Sequence, residues 1–421
     1  MNEGGKLELK RLFHNRSYMS FWLATSFSMT ASNLIQFVLS LYVLDQTGSA
    51  TIFASMLSII VFPRIFLTPL AGVQGDRIRR LKMMKIVMLF SIFFMLLFSI
   101  WTTFFGKLTL LGIYVLVVLL EISEVFYQAA EYAIIPEIVP GELLSEAVSL
   151  SKVDDGVVYL ASPAIGTVMY HFFGVQGGLW ITVILFGLSF LLNFCISTPY
   201  YKMTEKIEKQ SFMTDFKDGV YVIQKNPFLK HFILIAPLFN FFFSSVYAVT
   251  IAHTFLVSLN IGETAYGAYR SITASMVIFV PLFVMSIVKK VETKYLVTTS
   301  SLIVSIVLLL TGMVISSAYI FGMQMKMFIL IAITILDCFV IAVMMPVQMS
   351  TSLFYQKTIP DEFRSRVMSV SRMLSLASIP LGHMVFGILT DTFVPYINVF
   401  ISACGTFLCY LLYRKAFRYL S

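Results

Sequence analysis

The chain has 421 residues, 58% of them hydrophobic and only 12% charged, with a formal net charge of +8. Soluble domains run at about 45–50% apolar and about 25% charged residues, so this composition excludes a soluble globular protein. Cys195, Cys338, Cys404 and Cys409 lie in apolar runs without metal-type spacing, and the histidines are scattered. No metal site and no cofactor is expected.

The amino terminus is polar and basic, with Lys6, Lys10, Arg11 and Arg16. The apolar run that follows, 17–44, is too long for a signal-peptide core and reads as a retained first span. A spanning helix needs about 20 apolar residues. Twelve such runs follow one another, near 17–44, 50–73, 84–105, 108–133, 150–173, 177–198, 229–258, 264–288, 295–317, 323–354, 366–390 and 394–413. The expected fold class is an all-α membrane protein, with twelve transmembrane helices in two pseudo-symmetric six-helix bundles.

Lysine and arginine alternate from one set of connections to the other. The amino terminus, the Arg77–Lys85 loop, the central loop, the Lys289–Lys294 loop, the Lys357–Arg372 loop and the carboxyl terminus are basic. The opposite connections hold little more than Lys107 and Lys326. Positive-inside bias then places both termini in the cytoplasm. The net charge is an orientation signal, and no nucleic-acid partner is expected.

Span one offers a mildly polar stripe of Ser26, Thr30, Asn33 and Ser40. Span two carries Arg64, the only basic residue deep in the first half. Span four contains "EISEVFYQAAE", whose Glu121, Glu124, Gln128 and Glu131 fall on one helical face. A charge at mid-membrane is disfavoured by roughly 2.5–3.5 kcal/mol even on lenient scales, so these groups need a wet chamber or a partner. Two readings stand: Glu121 and Glu124 exchange protons and bind substrate, or they are tied permanently to a cation, with Arg64 the candidate. Asp154 and Asp155 open span five, where helix capping explains them as well as a place in the cavity does.

The stretch 200–230 is the longest polar one, and Phe212, Phe216, Val220 and Ile223 recur in it at helical spacing. It reads as an amphipathic helix on the cytoplasmic face. The expected organisation is a bundle over 1–198, a linker over 199–228 and a second bundle over 229–421. Span seven presents Phe239, Asn240, Phe243 and Tyr247, and span ten carries Asp337, for which Arg270 is a candidate partner. His253 and His383 titrate near neutral pH when solvated but read more simply as packing residues.

The halves repeat. "PEIVPGELLSEAVSL" (136–150) parallels "QKTIPDEFRSRVMSV" (356–370), and "SPAIG" (162–166) parallels "SIPLG" (378–382). Repeats of this kind place a substrate site near the midplane between the halves.

With "GVQGDRIRR" (72–80) between spans two and three, the chain resembles the major facilitator superfamily, whose first signature is matched by Gly72, Asp76, Arg77 and Arg80. "DFKDGVYVIQKNPFLK" (215–230) and the 136–150 stretch are similar to the branch of bacterial macrolide-efflux-like drug exporters. The resemblance implies the major facilitator fold and a gate in which Arg80 bridges Asp76 and Glu131. It also implies secondary active transport by alternating access, with proton-driven export of amphipathic small molecules such as drugs; the acidic residues expected in the cavity suggest a cation. Substrate would bind among Glu121, Glu124, Arg64, Asp337, Asn33, Asn240 and Asp154. The expected setting is the bacterial plasma membrane, with the lipid bilayer and a small-molecule substrate as partners and the chain acting as a monomer. Uptake or flipping of a metabolite or lipid, and a transport-dead sensor, are the alternatives. An enzyme is not expected, because no nucleophile–base pair or phosphate-cradling loop is present.

Overall fold

The computed structural model describes residues 11–200, 212–321, 325–359 and 361–419. These residues are helical almost throughout, with no strand among them. In chain order the helices are α1 (Arg16–Thr47), α2 (Ala50–Arg77), α3 (Arg80–Phe105), α4 (Leu110–Ile138), α5 (Leu144–Leu192) and α6 (Phe212–Lys225). They continue as α7 (Pro227–Ser245), α8 (Glu263–Lys290), α9 (Thr293–Phe321), α10 (Lys326–Thr358), α11 (Asp361–Thr392) and α12 (Pro395–Ala416).

Two features reconcile these elements with the expected spans. α5 is broken at Gly174, whose φ of 60° and ψ of −164° lie outside the helical region, so it forms two arms matching spans five and six. Beyond Ser245, α7 runs on through five-residue π-helical turns at Val246–Thr250 and Thr254–Ser258. Among the described residues, ten helical stretches are long and apolar enough to cross a membrane. The expected spans at 150–173 and 264–288 are helical as well.

The distribution of side chains is that of a bilayer protein. α3 buries Met84, Met88, Ser91, Met95, Ser99 and Thr102 along one face. Its opposite face exposes Phe90, Phe93, Leu97, Trp101 and Phe104. Small and hydroxyl-bearing residues inside, with large apolar residues outside, fit a solvent that is itself hydrocarbon. The hydroxyls satisfy themselves locally: Ser99 Oγ donates to Met95 O at 2.6 Å. α3 ends where Gly106, at φ 73°, returns its N–H to Thr102 O at 2.9 Å.

The chain forms two compact units, one of Met1–Tyr42 with Phe62–Glu208, the other of Val43–Val61 with Lys209–Ser421. In the first, α3 packs on α4 and on α5. In the second, α9 packs on α12 and α10, α8 on α10, and α7 on α11 and α12. The amphipathic helix expected near 212–225 is α6, and it too belongs to the second unit. Ile223 is buried with Phe228, Phe232, Tyr355 and Phe417, and Phe216 and Val220 pack against this cluster. Asp218 of α6 accepts from Arg366 Nη1 of α11 at 2.8 Å.

The grouping of Val43–Val61 with the carboxy-terminal helices differs from the boundaries expected from sequence. The start of α2 is held by α11: Ala50 N and Thr51 N donate to the Asp391 carboxylate at 2.7 and 2.9 Å, and Ser49 Oγ donates at 2.7 Å. Asp391 therefore answers the unpaired N–H groups of a helix start from another helix. Further along α2, Ser58 Oγ donates to Pro380 O at 3.1 Å. The chain leaves this unit within α2, between Val61 and Phe62.

Candidate functional site

The acidic stripe of α4 lies in the first unit. Glu121 is buried, with no accessible side-chain surface, and pairs with Arg64 of α2. Arg64 Nε donates to Glu121 Oε1, and Nη2 reaches Oε2 at 3.4 Å. The Arg64 side chain keeps 41% of its surface accessible, so burial of the pair is complete on the carboxylate side only. The cation expected from its position in the first half is thus the partner found.

One helical turn on, Glu124 has neutral donors: Ser32 Oγ at 2.9 Å and Gln128 Nε2 at 2.8 Å. The Gln128 bond joins residues four apart and is the local contact that the stripe predicts. Gln36 Nε2 reaches Glu121 Oε2 at 3.5 Å. Ser32 and Gln36, four apart on α1, form the facing row of this cluster. They lie beside the polar row of Ser26, Thr30, Asn33 and Ser40 read from the sequence, and the polar pair at spacing four is the signal that marks them. Asn33 instead donates to Met29 O of its own helix at 2.9 Å.

Glu121, Glu124 and Arg64 together hold two carboxylates against one guanidinium. With both acids ionised the cluster carries an excess negative charge. A single proton, or a single cationic ligand, removes it.

Asp154 differs from the capping reading. α5 begins at Leu144, so Asp154 lies ten residues in and caps nothing. Its Oδ2 accepts from Ser26 Oγ of α1 at 2.6 Å. Asp155 pairs with Lys152 at 2.7 Å. The stretch 143–149, expected as a connection, is already folding into this helix.

The implied gate also needs correction. Arg80 does not bridge to Glu131: its Nη1 donates to Glu137 Oε1 at 2.7 Å and to Ala133 O at 2.8 Å. The reason is helix length, since α4 continues to Ile138 and carries Glu137, not Glu131, to its end. Glu131 is half-buried on the stripe of Glu121 and Glu124. The side chains of Gly72, Asp76 and Arg77 lie outside the described residues, and so does that part of the gate.

In the second unit Asp337 of α10 is buried. The neighbour found is Tyr269, whose hydroxyl donates to Asp337 Oδ2. Arg270, the partner expected from sequence, follows Tyr269 on α8. Asn240 is half-buried on α7. Asp337 and Asn240 belong to the second unit. His253 Nε2 lies 3.3 Å from Gly48 O, and both His383 nitrogens are buried without a hydrogen-bond partner among the described residues. Among the described residues no group of His, Cys, Asp and Glu is arranged to hold a metal ion.

Known proteins share both this architecture and its sequence pattern. The chain is 21% identical to Macrolide efflux protein A of Streptococcus pyogenes over 382 residues, 89% of each chain. Its fold matches the nucleoside transporter NupG with a TM-score of 0.75 at 12% identity, over 95% of this chain and 99% of that one. It matches a bacterial homologue of the iron transporter ferroportin with a TM-score of 0.73 at 16% identity, over 95% and 98% of the two chains. The model of the Major Facilitator Superfamily aligns with residues 21–383. An all-helical, multi-pass chain whose alignment to that family runs from α1 into α11 is a member of the Major Facilitator Superfamily.

Proposed function

We propose that this protein is a proton-driven exporter of amphipathic, cationic small molecules, working by alternating access in the bacterial plasma membrane. The observation that carries the reading is the charge imbalance at Arg64, Glu121 and Glu124. Arg64 neutralises one carboxylate. The other is held by the neutral donors Ser32 and Gln128. A proton and a substrate cation are then alternatives for the same negative charge. Loading one expels the other, which is what exchange requires.

Export, rather than uptake, is supported by the likeness to Macrolide efflux protein A along 89% of the chain. Met, Phe and Tyr are abundant, with 23, 40 and 20 residues, and suit an adaptable apolar pocket for the rest of such a ligand.

The test is reconstitution into vesicles with an imposed pH gradient, followed by a screen of cationic amphiphiles for movement. Substrate should move against the proton flow, and binding should weaken as the pH falls, because protons compete. Neutral or anionic compounds moved equally well, with no pH dependence of binding, would reject the reading.

A further inference from the structure

We propose that the surface formed by α6, the start of α7 and the end of α12 is a docking site for anionic phospholipid, with its phosphate held by lysine and arginine side chains. The site is independent of the transport reading above.

The three elements meet around one apolar cluster. Ile223 of α6, Phe228 and Phe232 of α7, Tyr413 of α12 and Phe417 just beyond it are buried together. The Phe228 and Phe417 ring centroids lie 5.4 Å apart, and those of Phe232 and Tyr413 lie 5.5 Å apart. The start of α7 and the end of α12 are therefore level with one another, and α6 joins them there. Both α7 and α12 belong to stretches long and apolar enough to cross a membrane.

Their outward faces change character at this end. On α12, Phe407, Leu408 and Leu411 are exposed, and the next exposed positions on the same face are Arg414 and Lys415, three and four residues beyond Leu411. On α7, exposed Leu234 is preceded one turn earlier by exposed Lys230. An apolar row that turns basic at a helix end matches the two parts of a lipid, acyl chain against the first and phosphate against the second. α6 adds a third exposed row, Lys217, Tyr221 and Lys225 at spacing four. Lys225 Nζ lies 4.5 Å from the centre of the Tyr221 ring. A tyrosine with an apolar body and a polar tip suits the headgroup level.

The cations are not answered from within. Asp218, the acid of α6 whose side chain is described, accepts from Arg366 Nη1 at 2.8 Å, so its charge is matched already. The helix dipole favours Lys225, Arg414 and Lys415, which stand in last turns. It disfavours Lys230, which stands in the first turn of α7, and it is indifferent to Lys217 in the middle of α6. Like charges gathered around one cluster call for an external anion. A free phosphate would answer the cations alone. A phospholipid answers them and also covers Phe407, Leu408, Leu411 and Leu234, so lipid is the occupant that fits the whole surface.

The experiment is native mass spectrometry of the full-length protein in neutral detergent, with phosphatidylglycerol, phosphatidylcholine of the same acyl chains, or inorganic phosphate added. Phosphatidylglycerol should be retained and should raise the thermal unfolding midpoint, and both effects should weaken with salt. Phosphatidylcholine and inorganic phosphate should do neither. Each cation near an anionic headgroup contributes about fivefold in affinity, so the variant carrying Lys230→Gln, Arg414→Gln and Lys415→Gln should bind phosphatidylglycerol more than about tenfold more weakly. Lys107→Gln, at an exposed lysine between α3 and α4, should bind as the wild type does. The lipid and salt comparisons use the unaltered protein, so a poorly folded triple variant does not block the test. Equal retention of the two lipids, retention insensitive to salt, or the same stabilisation by inorganic phosphate overturns the proposal. So does undiminished binding in the triple variant.

Discussion

Glu121 and Asp337 are both buried acids on spanning helices, yet their neighbours balance them differently. Glu121 has a guanidinium against it and a second carboxylate one turn away. Asp337 has the Tyr269 hydroxyl on one oxygen and, among the described residues, no hydrogen-bond partner on the other. Low dielectric punishes unbalanced charge, and there are two chemical remedies: a counter-ion or a proton. The amino-terminal unit uses the first for Glu121 and leaves Glu124 to the neutral donors Ser32 and Gln128. In the carboxy-terminal unit the hydrogen-bond partner of Asp337 is a neutral hydroxyl.

That contrast is most directly broken by the paired substitution Glu121→Gln with Glu124→Gln. Gradient-driven flux should fall by more than about tenfold, equivalent to roughly 1.4 kcal/mol or more of lost interaction. Cation binding should be lost with it, as measured with a radiolabelled substrate in the same vesicles. Asp337→Asn should instead retain cation binding. Identical phenotypes for the two would erase the distinction between the sites.

Stability sharpens the comparison. Arg64→Ala leaves Glu121 buried without its cation. Breaking a fully buried pair costs about 3–5 kcal/mol, and the partial accessibility of Arg64 lowers the expectation to about 2–3 kcal/mol, read from the shift of thermal unfolding in detergent. The fall should shrink at acid pH, where Glu121 takes a proton in place of the lost cation. Tyr269→Phe removes one neutral donor and should cost about 1 kcal/mol, with the loss growing where Asp337 is ionised. Equal penalties with equal pH dependence would mean that the two acids are held in the same way.

Smaller effects are expected at the peripheral ion pairs. Arg80→Gln frees Glu137, which keeps 8% of its side-chain surface accessible, and should slow or speed exchange between states more than it alters binding. Asp218→Asn, at a pair that is 25% and 40% accessible, should cost about 0.5 kcal/mol or less. If Asp218→Asn destabilised as much as Arg64→Ala, burial would not be what sets these magnitudes.

The success of the Arg64–Glu121 expectation and the failure of Arg80–Glu131 have one cause. The first half offers a single deep cation, so Arg64 was the one candidate partner for a deep acid, beside the reading in which the acids stay unpaired. At the end of α4 two acids, Glu131 and Glu137, and the carbonyl of Ala133 compete, and the choice depends on where the helix stops. The apolar run fades near residue 133, whereas the helix continues to Ile138. The same blindness to helix ends made Asp154 look like a cap. Tyr269 carries no sequence signal of its role, being 68 residues from Asp337 and ordinary in its own segment. Asp391, at the far end of α11, gives no sequence sign that it receives the start of α2.

Composition and periodicity by themselves determined that this chain lives in a bilayer, that its halves repeat, and which face of each helix is polar. These are properties of short stretches, set by the 3.6-residue turn and by the cost of burying charge. The tertiary structure alone decided which atoms meet across helices: Ser32 with Glu124, Arg80 with Glu137, Tyr269 with Asp337, Asp391 with the amides of α2. Those pairings depend on where helices end and how their faces rotate together, and hydrogen bonds tolerate only fractions of an ångström. A local pattern carries no information on that scale.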